Sequence, residues 1–224
     1  MIKYNCSYLD MYSLVDSIDR IEPQGGYWSW NLANVPKLDR SIVLREINAA
    51  LREIESHVSP IKFRYTTNFK EADFKMCFTP KTQDVIFVDE SGQTVHLSTP
   101  YEFDGQLGVL AMGFYPIKGQ LRGVLVLDGE ENWATQHRWE TNEIDIQTVL
   151  LHEILHVFGL KHTTDKHAVM FAAYDGEKRK MNTDDINGIR EIYRDLVYDY
   201  VVPRKSLIDK IKNIIRDIRA IFSK

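Results

Sequence analysis

Apolar residues recur along the chain at two periodicities, helical and strand-like, which occupy different regions. From residue 39 to about residue 57 they fall three and four apart, which predicts a helix that ends before Pro60. Short apolar or alternating segments predict one strand before this helix and further strands after it. The predicted strands cover residues 27–31, 61–65, 72–78, 84–88, 109–114 and 123–127.

The second half of the chain is dominated by helical patterns. An apolar stretch predicts a second long helix at about residues 143–158, and Thr183 can cap a third helix at 183–194. Asp184 and Asp185 in its first turn favour the positive end of the helix dipole. Strands early in the chain and helices late predict an α+β fold class.

Composition and charge narrow the class of protein. At 224 residues, with 44% apolar and 27% charged residues, the chain suits one soluble domain with a short appendage. Its net charge of -4 gives no reason to expect a nucleic-acid partner. Cys6 and Cys77 are too few for a disulfide framework, so they form one bridge or remain two free thiols.

No apolar stretch is long enough to span a bilayer, and the first 19 residues lack the basic and apolar regions of a secretory signal. These features predict a protein that stays in the cytoplasm or leaves the cell without a leader. Secretion of a trimmed form stays open.

The most informative residues end the second predicted long helix, where residues 152–162 read His-Glu-Ile-Leu-His-Val-Phe-Gly-Leu-Lys-His. Residues four apart lie on one helix face, so His152 and His156 can bind one metal ion together. Glycine readily adopts the left-handed turn that ends helices, so Gly159 would bring His162 back toward the same ion. The pattern predicts one catalytic zinc ion with three histidine ligands.

Glu153 follows the first histidine and is the predicted general base. Three neutral imidazoles leave zinc strongly Lewis acidic and able to lower the pKa of a bound water to about 7. Glu153 would take a proton from this water as it attacks a peptide carbonyl, and return it to the leaving amine. The alternatives are histidines with a structural role and a catalytically silent, zinc-containing module that binds peptides in the same cleft.

The eleven residues resemble the metzincin signature, His-Glu-x-x-His-x-x-Gly-x-x-His followed by a methionine turn, here at Met170. Within that clan of zinc proteases the chain resembles the matrixins, the catalytic domains of matrix metalloproteinases. Thr163 follows the third histidine, and residues 181–193 resemble the carboxy-terminal helix of that family. The resemblance extends over about residues 27–195, with further matching segments at 71–74, 103–105, 110–111 and 127–133.

The resemblance implies a twisted, mostly parallel five-stranded sheet, two long helices, a zinc cleft, and a third helix after the methionine turn. It divides the chain into an N-terminal arm or short pro-like segment at residues 1–26, a catalytic domain at 27–198 and a C-terminal amphipathic helix at 199–224. The implied function is that of a zinc-dependent endopeptidase acting on proteins or peptides.

The resemblance also places the substrate. An extended peptide would pair with the edge strand, and the S1′ pocket would be walled by residues 172–174, where Ala172 replaces the usual proline. Pockets of this type generally prefer a hydrophobic P1′ side chain. The implied substrate-binding residues are Val109, Leu110, Ala111 and Tyr174.

The family has two further metal sites, of which we expect this chain to lack one and to keep the ligands of the other. Matrixins bind a structural zinc through three histidines and an aspartate, but Met112 and Val126 occupy two of the positions, and His96 alone does not make a site. We therefore expect this zinc to be absent and the two apolar side chains to fill the space. The calcium site keeps its three carboxylates, although acids on a solvated loop remain the alternative. Those carboxylates belong to Asp104, Asp128 and Glu131.

The two ends of the chain each allow more than one interpretation. Cys6 lacks the flanking residues of the cysteine motif that keeps secreted matrixins latent. The first 26 residues are expected to form an arm packed on the domain, or a short inhibitory segment that uses Cys6 or Asp10 on the zinc. Residues 205–222 predict an amphipathic helix with a basic polar face, which would pack on the body, self-associate or bind an anionic membrane surface.

Overall fold

The computed structural model describes residues 2–3, 26–31, 38–59, 61–79, 84–99, 102–116 and 121–194. Its helices are α1 (Arg40–His57), α2 (Ile146–Val157) and α3 (Thr183–Ile192), with a short 3-10 turn at Trp139–Thr141. Its strands are β1 (Ile2–Lys3), β2 (Gly26–Asn31), β3 (Phe63–Tyr65), β4 (Phe74–Thr79), β5 (Asp84–Val88), β6 (Thr94–Ser98), β7 (Ala111–Gly113), β8 (Val124–Asp128), β9 (Trp133–Ala134), β10 (Ile144–Asp145) and β11 (Ala173–Tyr174).

The central sheet has five strands in the order β3-β2-β4-β8-β7. All neighbouring pairs are parallel except β7, which runs antiparallel to β8 and lies at the edge. Every residue of β8 is buried, as expected for a strand in a sheet covered on both faces. The α+β class and the mostly parallel five-stranded sheet predicted from the sequence are confirmed.

Helices α1 and α2 pack against each other and form the main core with one face of the sheet. Helix α1 begins where predicted, because the Asp39 carboxylate accepts the backbone N–H of Ser41 at 2.7 Å. The end of α2 enters an aromatic cluster in which the Phe158 ring lies 5.4 Å from Phe63 and 5.8 Å from Tyr193. This packing fixes the position of the helix that carries the histidines.

A hairpin of β5 and β6 lies beside the sheet and encloses a second apolar cluster. Strand β6 was not among the predicted strands, because residues 91–108 contain glycines, a proline and acids that are typical of a loop. Its alternation is nevertheless regular, with Val95 and Leu97 buried and their neighbours exposed. Met112 and Val126, only 8% and 0% exposed, pack within this cluster as their apolar character suggested.

The start of α3 differs from the sequence expectation. Asn182 rather than Thr183 is the cap residue, and its side-chain oxygen accepts the backbone N–H groups of Asp184 and Asp185 at 2.9 and 3.1 Å. The Asp185 carboxylate in turn accepts the N–H of Asn182 at 2.9 Å, which completes a capping box. Thr183 could not be distinguished from Asn182 by composition, because both residue types cap helices well.

Among the helices of the described ranges, none has both the length and the apolar character needed to cross a membrane. The amphipathic helix predicted at residues 205–222 lies outside the described residues, as does most of the predicted N-terminal arm. The domain boundaries predicted at residues 26 and 198 therefore stay predictions.

Candidate metal centre

Helix α2 is anchored at its start by a buried carboxylate. Asp145, 0% exposed, accepts the backbone N–H of Thr148 at 2.8 Å and its hydroxyl at 2.6 Å, and also pairs with Arg179. The helix begins at Ile146, three residues after the predicted start, because Ile144 and Asp145 first pair with β9. These bonds hold the axis of α2 and, with it, the side chains near its end.

The end of α2 turns the chain back toward the helix. Gly159 adopts a φ of 99°, in the left-handed region that favours glycine, and its N–H donates to the carbonyl of His156 at 2.8 Å. The N–H of Leu160 donates to Leu155 at 2.9 Å. This turn brings His162 to the two histidines of the helix, as the sequence predicted.

The three histidines converge through their Nε2 atoms. The Nε2 of His162 lies 3.2 Å from that of His152 and 3.1 Å from that of His156. Each helix histidine also directs Nδ1 to a backbone carbonyl at 2.7 Å, Val169 for His152 and Leu160 for His156. An Nδ1–H that donates to a carbonyl leaves Nε2 as the metal-binding atom and orients the ring.

This geometry fits zinc. Zinc–nitrogen bonds of about 2.0–2.1 Å at tetrahedral angles would separate neighbouring nitrogens by about 3.3–3.4 Å, slightly more than the observed spacing. Burial is the main reason why the pKa of His152 lies well below its usual range, and the neighbouring His156 and His162 lower it further. The ring is thus neutral and can offer a lone pair. In the described part of the chain, these histidines are the one group of three or more His, Cys, Asp or Glu side chains placed to hold a metal ion, and Asp104, Asp128 and Glu131 do not converge as such a group.

Glu153 lies between the helix and the edge strand. It is 0% exposed, and its carboxylate adjoins Gly113 of β7. A Cβ added at Gly113 would lie 2.6 Å from the Glu153 carbonyl oxygen and 2.9 Å from its Oε2. The predicted base, Glu153, is therefore held against the strand predicted to bind the substrate, on the same helix as His152 and His156.

The methionine turn is held by the first turn of α3. Met170 is 1% exposed, and its carbonyl accepts the N–H of Thr163 at 3.0 Å. The Asp185 carboxylate accepts the N–H groups of Val169 and Met170 at 2.9 and 3.0 Å. Sequence reasoning assigned Asp185 only a favourable charge at the helix start, and its sequence position alone could not reveal this longer-range contact.

The residues predicted to bind substrate fall into two groups. Leu110 and Ala111 are buried at the sheet edge, and Val109 just before them donates its N–H to Asp104 at 2.7 Å. Tyr174 is 0% exposed, and its hydroxyl accepts the N–H of Asp145 at 2.9 Å. The Tyr174 side chain thus anchors the start of α2, which leaves its backbone as the part that can contact a peptide.

Tyr115 is a neighbour of the site that the sequence did not single out. Its ring meets that of His156 edge to face, with centroids 5.5 Å apart. It follows the edge strand by two residues, so only the packing of β7 against α2 brings the two rings together.

The predicted calcium ligands lie at the end of β8, which Asp128 closes, and on two loops, which contain Asp104 and Glu131. Glu131 accepts the N–H of Leu107 at 2.7 Å through one carboxylate oxygen, and Asp104 accepts that of Val109. The second oxygens of Asp128 and Glu131 are buried and have no hydrogen-bond partner among the described residues. Buried carboxylate oxygens without donors are costly unless a cation neutralises them.

The charge state of the two buried acids reflects this cost. Burial, together with the nearby charges of Glu130 and Asp104, raises the pKa of Asp128 to about 6. Burial and the charges of Asp128 and Asp104 raise that of Glu131 to about 7. Repulsion among grouped acids is what a bound divalent cation relieves.

Comparison with known proteins agrees with this geometry. Residues 26–194 match the profile of the family described as Matrixin. Karilysin from Tannerella forsythia is 34% identical over 122 residues, covering 54% of this chain and 24% of that protein. Metalloendoproteinase 1 from Glycine max is 32% identical over 139 residues, covering 59% of this chain and 40% of that protein.

Matrix metalloproteinase-27 from Homo sapiens is 33% identical over 176 residues, covering 77% of this chain and 30% of that protein. The matches therefore span between 24% and 40% of the length of these three relatives. The histidine centre, the methionine turn and α3 all lie within the matched residues. The chain belongs to the matrixin family of zinc metalloendopeptidases.

Proposed function

We propose that this chain is a zinc endopeptidase that hydrolyses peptide bonds of extended polypeptides. The observation that carries the proposal is the convergence of three histidine Nε2 atoms. Those of His152 and His156 lie 3.2 and 3.1 Å from that of His162, and Glu153 is buried on the same helix. His152, His156 and His162 would hold the ion. Three protein ligands are the usual contribution to a catalytic zinc site, and here all three are imidazoles.

The chemistry is divided between the ion and the protein. Zinc held in this way acts as a Lewis acid and brings the pKa of water into the neutral range. Glu153 accepts the proton that the attacking water gives up and delivers it to the leaving amine. The burial of Glu153 against β7 supports this role, since it holds the carboxylate at the edge where a peptide would lie.

The substrate would bind as an added strand along Val109, Leu110 and Ala111, because β7 occupies the edge of the sheet. Its P1′ side chain would enter a pocket walled by residues 172–174. The wall contains alanines at positions 172 and 173, which favours a hydrophobic P1′ residue. Tyr174 would contribute backbone contacts, since its hydroxyl is engaged with Asp145.

The test is an unlabelled peptide library read by mass spectrometry, with wild type and Glu153→Ala compared at equal zinc content. We expect cleavage by the wild type, enriched for hydrophobic P1′ residues, and a loss of at least about 100-fold in the variant. Retained zinc in Glu153→Ala excludes loss of the metal as the cause. Zinc binding with no cleavage by either protein would instead indicate a silent peptide-binding module.

We further propose that the chain binds one zinc ion and one calcium ion. The apolar packing of Met112 and Val126 supports the absence of a structural zinc there, and the partnerless oxygens of Asp128 and Glu131 support calcium. Metal analysis after dialysis tests the zinc count. Two zinc ions per chain would contradict the proposal.

We propose that residues 205–222 form an amphipathic helix that packs on the body of the protein or self-associates. Binding to an anionic membrane surface is the second candidate. Flotation with anionic liposomes, comparing the full chain with residues 1–203, tests for membrane binding. Equal flotation would exclude membrane binding through this segment.

A further inference from the structure

The exposed apolar side chains of the domain lie together beside the hairpin of β5 and β6. Within the described part of the chain, the large apolar side chains of high exposure are Tyr65, Ile86 and Val88, at 41%, 63% and 61%. Ile86 and Val88 alternate with the buried Phe87, so both lie on the outer face of β5. The hydroxyl of Tyr65 donates to Glu90, just beyond Val88. The three apolar residues and Glu90 form one surface, which we call the hairpin patch.

The hairpin patch lies on a small sheet whose other face is already packed. Strands β5 and β6 form a two-stranded sheet, and its inner side chains belong to the second apolar cluster. On the outer face, Ile86 and Val88 lie opposite His96 and Thr94, which are exposed as well. Exposed β-branched side chains on a short sheet favour association with another segment or chain. The patch therefore has the character of a contact surface.

The sequence at residues 205–222 has a pattern complementary to this patch. Positions three, four and seven apart lie on one face of a helix, so the segment would carry an apolar stripe with a row of basic residues along one side. The stripe contains Ile208, Ile211, Ile215, Ile218 and Phe222. The basic row contains Lys205, Lys212, Arg216 and Arg219.

The charges at the two ends of the patch are acidic. Asp84 and Glu90, both exposed, lie on either side of Ile86 and Val88 along the chain. An extended strand places these two acids about 20 Å apart, and a helix places Lys205 and Arg219 about 21 Å apart. Opposite charges can therefore meet at both ends of a docked helix while its apolar stripe covers the middle.

The end of α3 is close enough to the patch for the segment to reach it. The ring of Tyr193, which follows α3, lies 5.8 Å from Phe158, and that of Phe158 lies 5.4 Å from Phe63 of β3. Tyr65 of the patch ends the same short strand. Residues 195–204 can span up to about 33 Å, which is more than this path requires.

We propose that residues 205–222 dock as a helix on the hairpin patch of the same molecule. The proposal rests on the amphipathic helix proposed above for this segment, and it does not depend on the endopeptidase activity. The apolar stripe would cover Ile86 and Val88, and the basic row would face Asp84 and Glu90. A helix of this length is marginal in water by itself, so its order would depend on the patch.

Photo-cross-linking identifies what lies on the patch. The photoreactive residue p-benzoyl-phenylalanine replaces Val88 in the full chain, and in the control protein it replaces Glu140, an exposed residue of the 3-10 turn. Both proteins are zinc-loaded and carry Glu153→Ala, so that self-cleavage cannot remove the segment. Mass spectrometry then identifies the peptides joined to each position.

We expect position 88 to cross-link to residues 205–222 at the mass of a monomer, and position 140 to give no such product. Hydrogen exchange provides a second measurement without a bulky probe. Ile86→Ser combined with Val88→Ser should accelerate exchange at residues 208–222 at least about tenfold, because the docked stripe loses its apolar contacts. Exchange in α2 should stay unchanged, which shows that the domain remains folded.

Cross-links from position 88 at the mass of a dimer would overturn the proposal and assign the patch to contacts between two copies of the chain. Cross-links from position 88 to residues 4–25 in place of 205–222 would overturn it as well. Slow exchange at residues 208–222 without a cross-link to position 88 would keep the helix but reject its place on the patch. Fast exchange without a cross-link would reject both.

Discussion

The carboxylate of Asp185 accepts a hydrogen bond of 3.0 Å from the backbone N–H of Met170. It accepts two more from the N–H groups of Val169 and Asn182, and the residue is only 1% exposed. One buried carboxylate thus connects the first turn of α3 with the turn beneath the histidines. Because Val169 also orients His152, the contact links helix capping to the metal site.

Replacing Asp185 should therefore affect both stability and metal binding. Asp185→Ala leaves buried N–H groups without acceptors, and we expect the free energy of unfolding to fall by about 2–4 kcal/mol. Asp184→Ala is the matched control, since Asp184 is exposed and the hydrogen bond from its N–H survives the change. It should cost less than about 1 kcal/mol. Urea denaturation of the zinc-loaded proteins provides the measurement, and equal losses would contradict the assigned role.

Replacing Gly159 or Gly188 with alanine should change the stability of the protein in opposite directions. Gly159→Ala forces a side chain into a φ of 99° and should destabilise the protein by about 1–2 kcal/mol. It should also weaken zinc binding, because the turn positions His162. Gly188→Ala lies within α3, where the added Cβ would be 3.5 Å from Leu160, an ordinary contact. That change should stabilise the protein by about 0.5–1 kcal/mol.

Thermal denaturation and a competitive zinc-chelator titration check these two variants. A Gly159→Ala protein with unchanged stability and zinc affinity would show that the left-handed turn is not needed to bring His162 into the site.

Glu53 should contribute a pH-dependent part of the stability. Burial alone would raise its pKa, but hydrogen bonds from Lys180, the backbone of Met181 and His57 hold the pKa below its ordinary value of 4.5. A carboxyl group with a lowered pKa in the folded state stabilises the protein above about pH 4.5, and this contribution is lost as the pH falls through the folded pKa.

We expect Glu53→Gln to lower the free energy of unfolding by about 1–3 kcal/mol at pH 7, with the difference from wild type shrinking at pH values below about 4.5. Glu191→Gln alters an exposed pair with Arg194 and should change stability by less than about 1 kcal/mol at either pH. Denaturation at pH 7 and pH 3.5 distinguishes them. A difference between Glu53→Gln and wild type that grew in acid would contradict the argument.

Calcium should stabilise the fold through Asp128 and Glu131. At a calcium concentration 100 times the dissociation constant, binding adds about 2.7 kcal/mol to the free energy of unfolding. In Asp128→Asn this gain should largely disappear, while stability without calcium should stay equal or rise because one buried charge is removed.

Glu130→Gln, an exposed change beside the site, should keep the response to calcium. Thermal denaturation with and without calcium tests the three proteins. An unchanged calcium response in Asp128→Asn would mean that these acids do not form the site.

Local patterns were predicted well where one segment contains all the information. The boundaries of α1, the histidine turn at Gly159 and the mostly parallel sheet followed from periodicity, a turn residue and family resemblance. Prediction failed where two candidates were chemically alike, as with Asn182 and Thr183. It also failed for β6, whose short alternation of buried Val95, exposed His96 and buried Leu97 lies in a longer stretch of loop-like composition.

The sequence by itself determined that His152, His156 and His162 lie together, because helical spacing and one glycine turn place them so, and it predicted Glu153 as the base beside them. Only the tertiary structure decided what holds and surrounds them. The contact of Asp185 with the methionine turn, the inward hydroxyl of Tyr174 and the pairing of β1 with β11 join residues far apart along the chain. Such contacts depend on how elements pack against one another, which no local periodicity encodes.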